Sequence, residues 1–129
     1  MISKKVPKIP AAEWEIMNVL WSESALTGAE IHKRLTGSGR ALKTTNTLLA
    51  RLVNRGALSA EKKSRAFRYR PLVTREACAR EESTSFVRRV LGGQWSPLVV
   101  QLVKEAELSD ADITELEALL RAKRDGAKS

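Results

Sequence analysis

The clearest separation of apolar and polar positions in this chain falls in residues 43–56. At the 3.6-residue period of an α-helix one stripe is aliphatic, and it consists of Leu48, Leu49, Leu52 and Val53. The opposite stripe is cationic and rich in short hydroxyl groups, and it consists of Lys43, Thr44, Thr47, Arg51 and Arg55. The pattern predicts a helix with one buried and one solvated face, which Gly56 ends.

The next segment, residues 58–70, predicts a β-hairpin. Its second half alternates, with Phe67 and Tyr69 on one side and Arg68 and Arg70 on the other. Two short strands joined through residues 63–65 would place a basic tip after the helix, and we expect the aromatic pair to cover the core. A helix followed by a basic hairpin is typical of a winged helix.

Basic side chains crowd this hairpin, where Glu61 is the one acidic residue. They are Lys62, Lys63, Arg65 and Arg68. Because crowded like charges cost stability, the pattern favours a polyanionic partner. We expect Arg65 and Arg68 to contact a DNA backbone or a flanking minor groove.

The chain before this pair of elements predicts two more helices. The first spans Pro10 to Ser22, and its apolar positions are Trp14, Met17, Leu20 and Trp21. A capping box at residues 27–30 opens the second helix, which runs to Leu35 with Ile31 facing the core. Residues 36–40 form the turn before the third helix, and they lack the further glycine and the lysine of a nucleotide-binding loop.

After Pro71 the chain predicts three further helices and no strands. The first begins after Thr74 and ends near Leu91 before two glycines, the second spans Trp95 to Ala106, and the third follows a cap at Ser109. Their apolar stripes need a partner surface. We favour a second copy of the chain over the first half of the same chain, with a seam of Phe86, Val90, Leu98, Leu102, Leu116 and Leu120.

Charge divides the chain in the same place. The 129 residues carry a net charge of +8, but residues 1–73 hold 14 Lys or Arg and 5 Asp or Glu, a net +9. Residues 74–129 hold 9 and 10, a net −1. We therefore predict a winged-helix DNA-binding domain at residues 1–73 and a helical dimerisation region at residues 74–129, in a mainly α protein with a small β-hairpin wing.

The exposed stripe of the third helix predicts how such a protein would bind double-stranded DNA. Short hydroxyl and amide side chains reach base edges in the major groove, whereas Lys and Arg pair with phosphates. We expect bases to be contacted by Thr44, Asn46 and Thr47, and phosphates by Lys43 and Arg51. We call this element the recognition helix.

Other classes of function find little support. One histidine, His32, and one cysteine, Cys78, cannot make a four-ligand zinc site without carboxylates, and no third group completes a catalytic set, so we expect no enzyme activity, metal or cofactor. The N-terminus has no apolar region typical of a secretory signal, and no apolar run could span a membrane. With its one cysteine, the chain predicts a cytoplasmic protein without membrane insertion.

Several blocks of the sequence resemble the penicillinase repressor family of the BlaI/MecI type. They are Ala12-Glu-Trp-Glu-Ile-Met-Asn-Val-Leu-Trp21, Lys43-Thr-Thr-Asn-Thr-Leu-Leu-Ala-Arg-Leu52, Pro71-Leu-Val, Gly92-Gly93 and Leu108-Ser-Asp-Ala-Asp-Ile-Thr-Glu-Leu116. The resemblance implies a homodimeric winged-helix repressor on a palindromic operator, which controls genes for β-lactamase, penicillin-binding protein or a related stress response. It also implies a membrane sensor protease that acts directly or indirectly to end repression.

Two segments depart from that family. Arg40-Ala41-Leu42 stands where members commonly have Trp-Ser-Pro, so the backbone contact there is altered and the start of the recognition helix is less defined. Gln101-Leu102 stands at the family's Asn-Phe cleavage position, which leaves the inducing signal open. The alternatives are a protein-docking winged helix and a repressor whose C-terminal helices enclose a small ligand beside Trp95.

Overall fold

The computed structural model describes residues 6–35, 37 and 39–127. Residues 1–5 and Thr36 and Ser38 of the predicted turn lie outside this part of the chain. The helices are α1 (Ala11–Ser22), α2 (Gly28–Arg34), α3 (Leu42–Asn54), α4 (Arg75–Leu91), α5 (Ser96–Glu105) and α6 (Asp110–Ala127). The strands are β1 (Leu26–Thr27), β2 (Leu58–Lys63) and β3 (Ala66–Pro71). The predicted mainly α fold with a hairpin wing is confirmed.

The chain divides into two compact units, and the boundary lies within α4. The first unit ends at Phe86 and the second begins at Val87. The first unit extends past the predicted boundary at residue 73 because Cys78, on the first turn of α4, is buried in its core. The functional division at residues 73 and 74 stays a prediction. Within the described ranges, no helix is long and apolar enough to cross a bilayer.

Helices α1, α2 and α3 and the sheet enclose the core of the first unit. Its fully buried apolar side chains are Ile16, Met17, Leu20, Ile31, Leu49, Leu52 and Leu58. Burial of one such side chain stabilises a fold by roughly 1.5–3 kcal/mol. The aliphatic stripe predicted for the recognition helix, α3, is therefore the stripe that packs, with Val53 at its partly buried edge.

The sheet is antiparallel with the order β1-β3-β2, so the hairpin gains a short third strand that the sequence did not predict. Strand β1 pairs Leu26 with Tyr69 and Thr27 with Arg68, and reaches no further along β3. Tyr69 packs against the core, but Phe67, beyond the end of β1, is 49% exposed. The prediction that both aromatic rings cover the core is wrong for Phe67.

A buried carboxylate joins α1 to the end of α3. Glu13 is 2% exposed, and its Oε1 accepts a hydrogen bond from Nη1 of Arg55, the residue that caps α3 at its C-terminus. Charged groups are buried only when they are paired, because desolvation penalises an isolated charge. Arg55, which the sequence pattern places on the solvated stripe, is therefore tied to the core.

Trp21 fixes the start of α4 against α1. Its indole Nε1 donates a hydrogen bond to the Val73 carbonyl at 2.9 Å, and the Arg75 guanidinium lies 5.4 Å from the centre of its ring. The centre of the Trp14 ring, two turns earlier on the same face of α1, lies 5.6 Å from that of Trp21. Thr74 caps α4 as predicted, since its Oγ1 accepts a hydrogen bond from the Ala77 amide at 3.0 Å.

The second unit is built from the end of α4 with α5 and α6. Gly92 and Gly93 end α4 with φ angles of +58° and +88°, which glycine adopts without steric cost. Ser109 and Asp112 form a reciprocal capping box at the start of α6. Many apolar side chains of this unit remain exposed in the described chain, including Val90, Val100, Leu102, Val103, Leu119 and Leu120.

The pair between Glu13 and Arg55 generates a stability prediction. Arg55→Ala should lower the free energy of unfolding by about 2–3 kcal/mol, because the buried carboxylate loses its partner. The double variant Glu13→Gln with Arg55→Ala should lose less than Arg55→Ala alone. Urea denaturation followed by tryptophan fluorescence measures both. Arg51→Ala, one turn earlier, is the matched control, and a midpoint of Arg55→Ala equal to the control would contradict the prediction.

Candidate nucleic-acid interface

Every residue predicted to contact DNA from α3 lies on its exposed side. These residues are Lys43, Thr44, Asn46, Thr47 and Arg51. The Thr47 hydroxyl donates a hydrogen bond to the Lys43 carbonyl at 3.0 Å, so the helix backbone sets the orientation of its side chain, and both lone pairs of its oxygen can still accept. The structure thus brings two cationic and three short polar side chains onto one helix.

The buried side of α3 carries a polar contact that holds the helix on α2. Thr45 is 1% exposed, and its Oγ1 lies 2.9 Å from Nδ1 of His32 in the last turn of α2. A buried hydroxyl without a partner would cost free energy, so this hydrogen bond favours one position of α3 relative to α2. His32 therefore contributes a contact between α2 and α3.

The N-terminus of α3 is held from α1 instead of by a side-chain cap. Ala41 occupies the N-cap position and makes no side-chain hydrogen bond to the helix. Arg40, one residue earlier, pairs through Nη1 with Oε2 of Glu15 at 2.9 Å. At this departure from Trp-Ser-Pro, the segment before α3 therefore forms an ion pair with α1.

Asn46 packs its amide closely over the first turn of α2. A Cβ atom built on Gly28 would lie 2.7 Å from Asn46 Oδ1, a distance that real Cβ atoms do not adopt. Glycine at residue 28 therefore gives the Asn46 side chain its present position, at the edge of the exposed face of α3.

The wing carries its basic residues in two different settings. Ser64 turns the hairpin with a φ of +59°, and Arg65 beside it is exposed. Arg68 is only half exposed, and its Nη1 lies 3.5 Å from the Ala25 carbonyl and 3.6 Å from Glu30 Oε1. Arg68 therefore joins β3 to the segment before α2.

Glu30 is itself fixed by the capping box that opens α2. Its Oε1 accepts a hydrogen bond from the Thr27 amide at 2.8 Å, and its own amide donates to Thr27 Oγ1 at 3.2 Å. These bonds, first that of the Thr27 backbone amide, hold the pKa of the Glu30 carboxyl below its ordinary value. The carboxylate facing Arg68 is consequently ionised at neutral pH.

The cysteine of this chain, Cys78, lies in the core of the first unit. Cys78 is buried, and burial raises the pKa of its thiol, which disfavours the reactive thiolate. Among the described residues, no three His, Cys, Asp or Glu side chains are close enough to hold a metal ion.

Comparisons with known proteins identify the family. The model of the family described as "Penicillinase repressor" matches residues 9–122. This chain belongs to the penicillinase repressor family. The family consists of transcriptional repressors and not of enzymes. The resemblance seen in the sequence is thereby confirmed.

Two relatives match this chain over nearly its whole length. The penicillinase repressor of Bacillus licheniformis is 32% identical over 126 residues, which cover 97% of this chain and 98% of the relative. The methicillin resistance regulatory protein MecI of Staphylococcus aureus (strain N315) is 29% identical over 123 residues, 95% of this chain and 100% of the relative.

Solved structures of BlaI match the first part of the chain. The solution structure of the BlaI DNA-binding domain has a TM-score of 0.51 at 37% identity, and covers 58% of this chain and 93% of that one. Monomeric Bacillus licheniformis BlaI in complex with the blaP half-operator gives a TM-score of 0.50 with the same identity and coverage. The winged-helix fold of the first unit is thereby confirmed.

Sequence reasoning missed two buried polar residues that position α3. Glu13 precedes Ile16, Met17 and Leu20 at helical spacing, and Thr45 precedes Leu48, Leu49 and Leu52 in the same way. Each polar residue thus stands at the first position of an apolar stripe. That spacing was the available signal, because a polar group on a core stripe needs a buried partner.

The two settings of the wing arginines generate a prediction. Arg65→Ala should weaken DNA binding and lower the slope of log affinity against log salt by about one, because an exposed cation pairs with one phosphate. Arg68→Ala should lower the thermal midpoint more than Arg65→Ala does, because Arg68 also contacts Glu30 and Ala25. Salt-dependent fluorescence anisotropy and thermal unfolding measure the two effects. Equal thermal midpoints for the two variants would refute the distinct role of Arg68.

Proposed function

We propose that this chain is a sequence-specific, DNA-binding transcriptional repressor. The observation that carries the proposal is the exposed face of α3, where Lys43 and Arg51 flank Thr44 and Thr47 beside a basic wing. The net charge of +9 on residues 1–73 supports it, since a duplex attracts such a surface electrostatically. The relative BlaI, bound to a half-operator in its solved complex, supports the same partner.

In this proposal α3 enters the major groove. Thr44, Asn46 and Thr47 contact base edges, while Lys43 and Arg51 hold phosphates on either side of them. Arg65 at the wing tip contacts the neighbouring backbone or minor groove, and Arg68 supports the wing and adds charge there. Repression follows because a protein on an operator blocks the polymerase from the same DNA.

The competing function for the same surface is docking to a protein, with an incidental positive charge. The two functions differ in their specificity for DNA. A repressor discriminates one duplex sequence from random duplex even when salt weakens both complexes, whereas a docking module retains no preferred sequence. The exposed hydroxyl groups on α3 favour the repressor, because a purely electrostatic contact does not need them.

The assigned roles predict opposite signatures for two substitutions on α3. Thr44→Ala should reduce the preference for the selected operator over random DNA by ~1–3 kcal/mol, because a base contact is lost. Arg51→Ala should weaken both complexes and lower the salt slope by about one. Anisotropy titrations on both duplexes measure this, with Lys104→Ala in α5 as a control for the loss of one charge. An unchanged operator preference in Thr44→Ala would remove the base contact from the proposal.

We further propose that the repressor is a homodimer joined by its C-terminal helices. The proposed seam contains Phe86, Val90, Leu98, Leu102, Leu116 and Leu120, all of them apolar and none of them buried in the described chain. Exposed apolar groups of this number are typical of an interface. A second copy is the favoured occupant, because a palindromic operator presents two equivalent half-sites to a two-fold protein.

Charge placed in the seam should separate the copies. Leu102→Glu combined with Leu120→Glu should shift the sedimentation coefficient from dimer to monomer, because neither carboxylate can be desolvated against an apolar partner. Affinity for a two-half-site operator should then fall, since linkage raises the second contact to roughly mM effective concentration. Affinity for one half-site should not change. Gln101→Glu is the matched control, and a dimeric double variant would contradict the proposed seam.

Regulation by cleavage stays a prediction from the resemblance. The bond between Gln101 and Leu102 lies in the middle of α5, so a protease would need local unfolding before it could reach the backbone. A cut there would separate α6, with Leu116 and Leu120, from the rest of the chain. A membrane sensor protease acting directly or indirectly is the proposed agent, and the mass of the protein recovered from cells treated with cell-wall antibiotics would show whether this bond is cut.

A further inference from the structure

A shallow groove lies between the recognition helix and the wing. Residues 27–29 of the first turn of α2 form one side, Leu42 and Asn46 of α3 form the second, and Phe67 with Tyr69 of β3 form the third. All of these residues belong to the first unit, and none lies on the stripe of α3 that packs on the core.

Two large apolar side chains are left open to solvent in this groove. Leu42 is 43% exposed and Phe67 is 49% exposed. Exposed apolar surface is unfavourable in water, so a partner that covers Leu42 and Phe67 would be bound more tightly for doing so. The groove therefore offers an apolar contact in the middle of the basic surface that the proposed function assigns to DNA.

Exposed cations adjoin the two apolar residues along the chain. Lys43 is the neighbour of Leu42, and Arg65 precedes Phe67 by two residues, and both are exposed. A DNA strand whose phosphates pair with Lys43 and Arg65 would pass Leu42 and Phe67. The part of a strand that lies between consecutive phosphates is the deoxyribose, whose C–H edge is apolar.

We propose that Leu42 and Phe67 form a deoxyribose-binding cleft, in which Phe67 packs on the sugar of the strand that joins the base-contacting helix to the wing. This inference rests on the proposed function. In this inference, Leu42 and Phe67 discriminate deoxyribose from ribose. A 2′-hydroxyl group turned towards Leu42 and Phe67 would lose hydrogen bonds to water, and neither of these two side chains could replace them, so that loss is costly.

The test uses the full chain and a duplex selected by the protein from random sequences. One set of probes replaces each deoxynucleotide in turn by a ribonucleotide, and a second set replaces each thymidine by deoxyuridine. For the wild-type protein, we expect one ribonucleotide position in each half-site to reduce affinity about tenfold. Phe67→Ala should bind the all-DNA duplex about tenfold more weakly, and should lose less than a further twofold at that ribonucleotide.

Phe67→Leu keeps an apolar side chain and should retain most of the sensitivity to the ribonucleotide. Leu72→Ala is the matched control, because Leu72 is 52% exposed at the opposite end of β3, where its amide donates to the Ala57 carbonyl. It should bind every probe as the wild type does. Thermal unfolding of each variant verifies that the first unit remains folded.

Three results would overturn the cleft. The first is wild-type affinity of Phe67→Ala for the all-DNA duplex, and the second is undiminished sensitivity of Phe67→Ala to the ribonucleotide. The third concerns the deoxyuridine probes. If the wild type is weakened by deoxyuridine at one position and Phe67→Ala is not, the group that Phe67 contacts is a thymine methyl group and not a sugar. Failure of the proposed function gives a different pattern, because then no sequence is selected and Arg51→Ala binds DNA as the wild type does.

Discussion

The Glu13 carboxylate lies in the core under the recognition helix, where it pairs with the Arg55 guanidinium at the end of that helix. The packing of α1 on α3 therefore includes a charge that the fold must compensate, and not only apolar contacts. Apolar packing tolerates small shifts in position, whereas an ion pair at hydrogen-bonding distance does not. The position of α3 along its own axis follows from this constraint.

Two further polar contacts hold α3 along its length. Arg40 pairs with Glu15 just before α3 begins, and Thr45, in the first turn of α3, forms a hydrogen bond with His32. With the pair at Arg55, the helix is held at its start, near its first turns and at its end, always from the side that faces α1 and α2. The opposite face is thereby presented to a ligand in a nearly fixed form, which lowers the entropy that binding has to offset.

Local signals were sufficient to predict the helices. These signals are the apolar stripes at 3.6-residue spacing and the capping residues, such as Thr27, Thr74 and Ser109. Partners distant in sequence were not predictable. Glu13 and Arg55 are separated by 42 positions, and nothing local indicates that one will meet the other. Phe67 illustrates a second limit, since alternation assigns two sides to a strand, but the length of the two-residue strand β1 decides how much of one side is covered.

Gly28 has a consequence for how operator preference can change in descent. No side chain fits at residue 28 while the Asn46 amide keeps its position, so a mutation at residue 28 would relocate a side chain on the recognition helix without touching DNA itself. We therefore expect the effects of substitutions at residues 28 and 46 to depend on each other, because the Gly28 backbone and the Asn46 amide share this contact.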